Sequence, residues 1–165
     1  MQNHIVRSLH DDHMATMALL AQLEALLGKR GPTAGPDTAA PPVTAFLREL
    51  TRAVELELGP HFAFEESHLF PFLAEAGAEE MVVLLTREHA ELLPRARWLA
   101  ELARQGLGHG LDRTGWAEFH AVGSGLAGSL AAHVEKEEMG MLPALEAALD
   151  AETDGRFATE YAALR

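Results

Sequence analysis

The 165-residue chain carries 13 lysines and arginines against 25 aspartates and glutamates, a formal charge of −12 that repels phosphate backbones and anionic lipid headgroups. It has no cysteine, which removes disulfides, thiolate zinc sites and thiol redox centres and leaves nitrogen and oxygen as the donors for any metal. Apolar residues make up 48%, enough for one buried core, and no stretch reads as a membrane span or signal peptide, so a single cytoplasmic domain is the expectation.

Abundant Leu, Ala and Glu with few β-branched runs predict an all-α fold, an up-down-up-down four-helix bundle. The first helix spans about residues 3–27, where Ile5, Val6, Leu9, Met17, Leu20, Leu23 and Leu27 recur at three- and four-residue spacing before Gly28 and Gly31 stop it. Residues 28–42 hold Pro32, Gly35, Pro36, Pro41 and Pro42 and read as a mobile linker. A second helix is expected over about residues 43–69, with Gly59-Pro60 as a kink directly before His61. The third covers about residues 79–105, with Pro94 inside it and Gly106, Gly108 and Gly110 behind it. The fourth covers about residues 112–138, followed by a short helix over 143–149 and a polar tail that holds Tyr161.

One phrase occurs twice. His61-Phe62-Ala63-Phe64-Glu65-Glu66 runs on to Leu69-Phe70-Pro71, and His133-Val134-Glu135-Lys136-Glu137-Glu138 runs on to Met141-Leu142-Pro143. Residues four apart on a helix stand one above the other, so each phrase aims an imidazole and a carboxylate at one point. The preceding helices each add Asp12-His13 or Glu88-His89 ahead of a leucine stripe, giving a pseudo-twofold order of His13, His61/Glu65, His89 and His133/Glu137. Carboxylates can bridge two cations and neutral imidazoles favour iron-type metals over magnesium or calcium, so six inward ligands suit two iron or manganese ions. A single histidine on an apolar face is usually a hydrogen-bonded core residue, but four imidazoles and two carboxylates buried without a metal would be strongly unfavourable. The competing reading, a metal-free helical interaction module, requires the constellation to be accidental.

At these residues the chain resembles the hemerythrin-like family of HHE cation-binding domains, from Ile5-Val6-Arg7-Ser8-Leu9-His10-Asp11-Asp12-His13 to Met141-Leu142-Pro143. The resemblance implies a non-haem di-iron centre, oxo- or hydroxo-bridged, that meets dioxygen, nitric oxide or peroxide. His13, His61, His89 and His133 would be terminal ligands, and Glu65 and Glu137 would bridge the pair; ligand type leaves manganese and zinc open. Oxygen-carrying relatives have a second histidine four residues after that of the third helix, where this chain has Leu93. Those six residues would fill about eight of roughly twelve octahedral positions, which suits redox reaction better than reversible oxygen carriage. The cysteine-bearing N-terminal extension of the iron–sulfur-repair branch is missing from the sequence. Two roles therefore stand side by side: a binder or scavenger of a small oxidant, and an oxidase or oxygenase acting on a small organic substrate.

Around the six, Glu66 and Glu138 are expected to face solvent or a basic side chain, although Glu138 stands where oxygen-carrying relatives place a carboxylate ligand. His10 and His68 read as polar residues near the end of the bundle, with support of the ligands or replacement of one as the alternative, and His4, His109 and His120 read as surface residues. Met14, Met17, Met139 and Met141 read as packing, and Tyr161 as a poor candidate for the site. Gly125 and Ser129, stepping back from His133, suggest a small-residue pocket lined by Leu126, Val122, Leu85 and Met17.

Overall fold

The computed structural model describes residues 3–164, and within them every regular element is helical. The first helix, α1 (His4–Lys29), buries Ile5, Val6, Leu9, His13, Leu20, Leu23 and Leu27 along one stripe. A long rod over residues 41–75 consists of α2 (Pro41–Ala53), α3 (Gly59–Phe64) and α4 (Phe70–Glu75) joined by two π turns, Val54–Leu58 and Glu65–Leu69. After a turn at Gly77 comes α5 (Glu79–His109), then a second composite rod. Here α6 (Arg113–Lys136) passes through the π turn Glu137–Met141 into α7 (Leu142–Ala148), and α8 (Ala151–Ala162) follows.

The π turns have a cause in the sequence. Each is closed by the N–H of the residue before a proline: Gly59 donates to the Val54 carbonyl, Phe70 to Glu65 and Leu142 to Glu137. Pro60, Pro71 and Pro143 come next. A proline has no N–H for the carbonyl four residues back, and its ring presses on that carbonyl. One extra residue in the preceding turn relieves both problems, so the kink expected at Gly59-Pro60 is a widened turn in a continuous rod.

Helix ends differ from the sequence reading by a few residues. Gly106 and Gly108 lie within α5, which stops only at Gly110, where φ is 81°. Pro94 is carried inside it. The Asp112 side chain caps α6 by accepting the Gly115 N–H over 2.7 Å. The segment after α1 lies against the bundle: the Trp116 indole N–H donates to the Gly31 carbonyl over 2.9 Å, and a Cβ on Gly35 would come within 2.8 Å of the Trp116 ring. The polar tail is the helix α8, held to α1 by Phe157, Tyr161 and Asp154, all buried.

The core divides into two apolar clusters. One gathers Leu20, Leu23, Leu47, Leu50, Leu99 and Phe119 with their neighbours, the other Ile5, Leu9, Leu69, Leu73, Leu85, Met141 and Phe157 with theirs. Each fully buried leucine among them contributes on the order of 1.5–3 kcal/mol through its removal from water. Along α1 and α5 the two clusters are separated by a single buried polar position, His13 between Leu9 and Leu20 and His89 between Leu85 and Leu92. The polar layer of the molecule is thus sandwiched between two apolar ones.

Candidate metal centre

That layer contains His13, His61, Glu65, His89, His133 and Glu137, the six residues singled out by the repeated phrase, all buried. Glu65 turns one oxygen to His61 Nε2 at 3.2 Å and the other to His89 Nε2 at 3.4 Å. Glu137 divides its oxygens in the same way, with His13 Nε2 at 3.2 Å and His133 Nε2 at 3.0 Å. The donor atoms fall into two groups that share Glu137: His13, His61, Glu65 and Glu137, and His89, His133 and Glu137. Phe62 forms one wall, its ring stacked on His89 with centroids 3.7 Å apart.

Several of the inward atoms make no hydrogen bond. Both oxygens of Glu65, both of Glu137 and the Nε2 of His13 are buried with no hydrogen bond. His89 and His133 meet Nε2 to Nε2 at 3.1 Å. Bare carboxylates in a low-dielectric layer cost several kcal/mol each unless positive charge answers them. The titration of the layer shows the same demand. Burial pushes His61 down, but Glu65, Asp12 and Tyr161 outweigh it and hold the imidazole well above the ordinary histidine value. Burial likewise lowers His133, and Glu137, Glu88 and Glu65 raise it further than burial lowers it. Burial pushes Glu137 up, yet contacts with His13, His133 and His89 keep it well below the usual carboxylate range. Nitrogen and oxygen donors arranged around missing positive charge fit one or two cations.

The outward nitrogens are all engaged. His13 Nδ1 lies 2.6 Å from Glu138, His89 Nδ1 3.0 Å from Glu66, and His133 Nδ1 2.9 Å from Glu88. A carboxylate only accepts, so each Nδ1 carries a hydrogen, and each Nε2 faces inward as the nitrogen that a metal would take once any proton on it is lost. Glu88 also takes a Lys136 ammonium at 2.8 Å; burial raises it, but Lys136 and His133 leave it lower than an ordinary glutamate. His61 differs: its Nδ1 lies 2.6 Å from the Tyr161 hydroxyl, whose O–H in turn donates to Asp12. Burial, with Asp12 beside it, pushes the Tyr161 phenol up to about 12, so it is neutral at physiological pH.

Several expectations are corrected here. Glu66, which is half exposed, and Glu138 meet basic side chains as expected, but these are the outer nitrogens of the candidate ligands His89 and His13 on neighbouring helices. His10 joins through Glu138, at 2.9 Å. Tyr161 is part of the layer because α8 folds back onto α1. His68 stays outside, 3.4 Å from Glu160 and stacked on Phe64. Of the methionines expected to pack, Met141 is buried, whereas Met14, Met17 and Met139 are exposed. The pocket inferred at Gly125 is not there: Gly125 and Ser129 are exposed, and a Cβ on Gly125 would meet the Arg95 side chain. A largely apolar cavity of about 130 Å³ lies one turn from the ligands instead, lined by Leu20, Leu50, Ala96, Leu126 and Leu130 among others, with Glu49, Arg52 and Glu57 also on its wall.

A helical bundle with a buried histidine and glutamate layer is the frame of a metal-binding protein. The hemerythrin HHE cation-binding domain model matches residues 4–153, nearly the whole chain, and the chain belongs to that family. No curated protein matches the chain. No helix among the described residues is long and apolar enough to cross a membrane.

Proposed function

We propose that this is a single-domain, non-haem di-iron protein that binds or reacts with dioxygen, nitric oxide or peroxide, as a sensor, scavenger or detoxifier. The observation that carries the reading is the pair of buried carboxylates whose oxygens make no hydrogen bond, each dividing its two oxygens between histidines of different helices. His13 and His61 would hold one ion, His89 and His133 the other, and Glu65 and Glu137 would bridge them in an up-down-up-down four-helix bundle. Iron in such a site supplies one-electron chemistry and open positions for a small ligand.

The chain's own residues do the rest. Glu138, Glu66, Glu88 and Tyr161 hold the Nδ1–H groups and the rotation of the four imidazoles, so that each Nε2 already faces the centre before any cation arrives. The apolar clusters on either side exclude water from the layer and strengthen every electrostatic contact inside it. In the same reading the protein is cytoplasmic and has neither nucleic-acid nor membrane partners, consistent with a charge of −12.

The cavity near Leu126 and Ala96 favours a second reading, a di-iron oxidase or oxygenase for a small organic substrate. The deciding experiment is metal content and the optical spectrum of protein from iron-supplemented cells, reduced anaerobically and then returned to air. Two irons per chain, with near-ultraviolet absorption that bleaches and returns, support the centre. Oxygen uptake that rises with an added organic molecule moves the reading to the oxidase. A folded chain without iron, or with one redox-silent zinc, ends both.

A further inference from the structure

The pseudo-twofold relation of the two halves extends beyond the six ligands and then breaks at one point. Glu66 and Glu138, each next in sequence to an inward glutamate, serve equivalent histidines, His89 and His13. Asp12 and Glu88, each preceding a ligand histidine, are the next equivalent pair. Glu88 accepts directly from His133 Nδ1 at 2.9 Å. Asp12, one methylene shorter, stops 3.6 Å from His61 Nδ1, and the Tyr161 hydroxyl fills the gap by accepting from His61 and donating to Asp12. The family model ends at residue 153, so this tyrosine comes from outside the matched domain.

We infer that Tyr161 is a positioning residue that makes the two metal positions inequivalent, keeping the ion at His13 and His61 the more readily reduced of the two. The inference rests on the two-ion reading above. A carboxylate that accepts from Nδ1–H enriches the opposite nitrogen in electrons, and a neutral phenol does so less, because charge-assisted hydrogen bonds are the stronger ones. The ion at His89 and His133 has two imidazoles backed by carboxylates. The ion at His13 and His61 has one backed by Glu138 and one backed by a phenol. The poorer donor stabilises the oxidised ion less. A cavity of about 470 Å³ reaches the same corner from outside, lined by Asp12, Tyr161 and His61 together with Arg52, Pro60 and Leu56.

Mössbauer spectra of the protein loaded with isotopically enriched iron test this without any activity assay. The expected result is two quadrupole doublets of equal area, of which one disappears first on partial anaerobic reduction. Asp12→Asn keeps the Tyr161 ring packed and weakens the acceptor behind it, so it is expected to shift that early-reduced doublet and leave the other in place. Asp12→Glu combined with Tyr161→Phe restores a direct carboxylate and is expected to draw the two doublets together with two irons retained. A single doublet in the wild type, or Asp12→Asn moving both doublets or only the late-reduced one, overturns the inference while leaving the di-iron reading intact. Absence of iron from a folded wild-type chain overturns both. If the double variant does not fold, the Asp12→Asn spectrum decides alone.

Discussion

Ile5 and Asp154 stand 149 positions apart, and the Ile5 backbone N–H donates to the Asp154 carboxylate over 3.0 Å. The other oxygen accepts the His4 N–H over 2.9 Å, while the side chain of Asn3, at the cap position itself, does not cap the helix. The last helix therefore supplies the N-cap of the first and ties down the strip that carries His13. Burial pushes the Asp154 carboxyl up, but the bonds from His4 and Ile5 hold it below the ordinary aspartate value of 3.8. A carboxyl lowered by folding stabilises the fold above its unfolded value and loses that contribution as pH falls through the folded one. Asp154→Ala is expected to cost about 1–2 kcal/mol near neutral pH, with a smaller penalty below about pH 4, as read by chemical denaturation across pH. Equal losses at every pH would show that packing, and not the cap, was removed.

Removing the carboxylate behind a ligand histidine is expected to act on the metal before the fold. In Glu138→Gln the amide can present its NH2 to His13 and no longer fixes Nδ1 as the hydrogen-bearing nitrogen. Metal affinity is expected to fall about 10- to 100-fold, with the thermal melt of the metal-free chain nearly unchanged. Titration with ferrous iron or cobalt measures the first and circular dichroism the second. An unchanged affinity would make the Glu138 contact incidental.

Phe62 is the packing counterpart. Its ring is buried against His89 and also meets His133 edge-on at 5.4 Å. Phe62→Ala is expected to destabilise by about 3–5 kcal/mol through the cavity it leaves, in metal-free and metal-loaded chain alike. A loss seen only in the loaded form would assign Phe62 to the centre rather than the core.

Metal uptake should release protons. His61 is held well above 6.5 and His133 is also raised, so near neutral pH the metal-free layer keeps imidazoles protonated that a metal needs neutral. A histidine raised by folding stabilises the metal-free chain fully below its unfolded value, and the contribution fades as pH rises through the folded value. Adding metal in weak buffer at pH 7 is expected to acidify the solution, less so as the starting pH is raised. No acidification at pH 7 would contradict the charge state of the layer.

How much of this is legible follows from where each contact is encoded. His61 with Glu65 and His133 with Glu137 are readable because both members of each pair lie on one helix, four residues apart. The outer partners of Glu66 and Glu138 are not, because they belong to a neighbouring helix and a helix taken alone sends those side chains outward. Tyr161 is the hardest to see: its contact with His61 spans 100 positions and depends on a reversal of chain direction that no local pattern announces. The π turns do have a signal in the three prolines, but a proline taken alone points to a kink or a stop and not to a widened turn. Gly125 is misplaced by the arithmetic of the helix itself, since eight residues of about 100° each overshoot two full turns by roughly 80°.

The position of the cavity gives the last prediction. Ala96 is fully buried and faces the same space as Leu126 and Leu130, two turns along α5 from His89. Ala96→Leu adds three carbons where about 130 Å³ is available, so the substitution is expected to fold with a change in stability of about 1–3 kcal/mol at most and to leave metal content untouched. If small ligands reach the layer through this space, the same change slows nitric oxide binding to the reduced, iron-loaded chain several-fold in stopped flow. Gly125→Leu is the control, because its new side chain displaces only the tip of Arg95 on the outer face and is expected to leave the rate as it was. Rates that respond to Gly125→Leu and ignore Ala96→Leu would move the route to the helix face that the small residues of the sequence suggest.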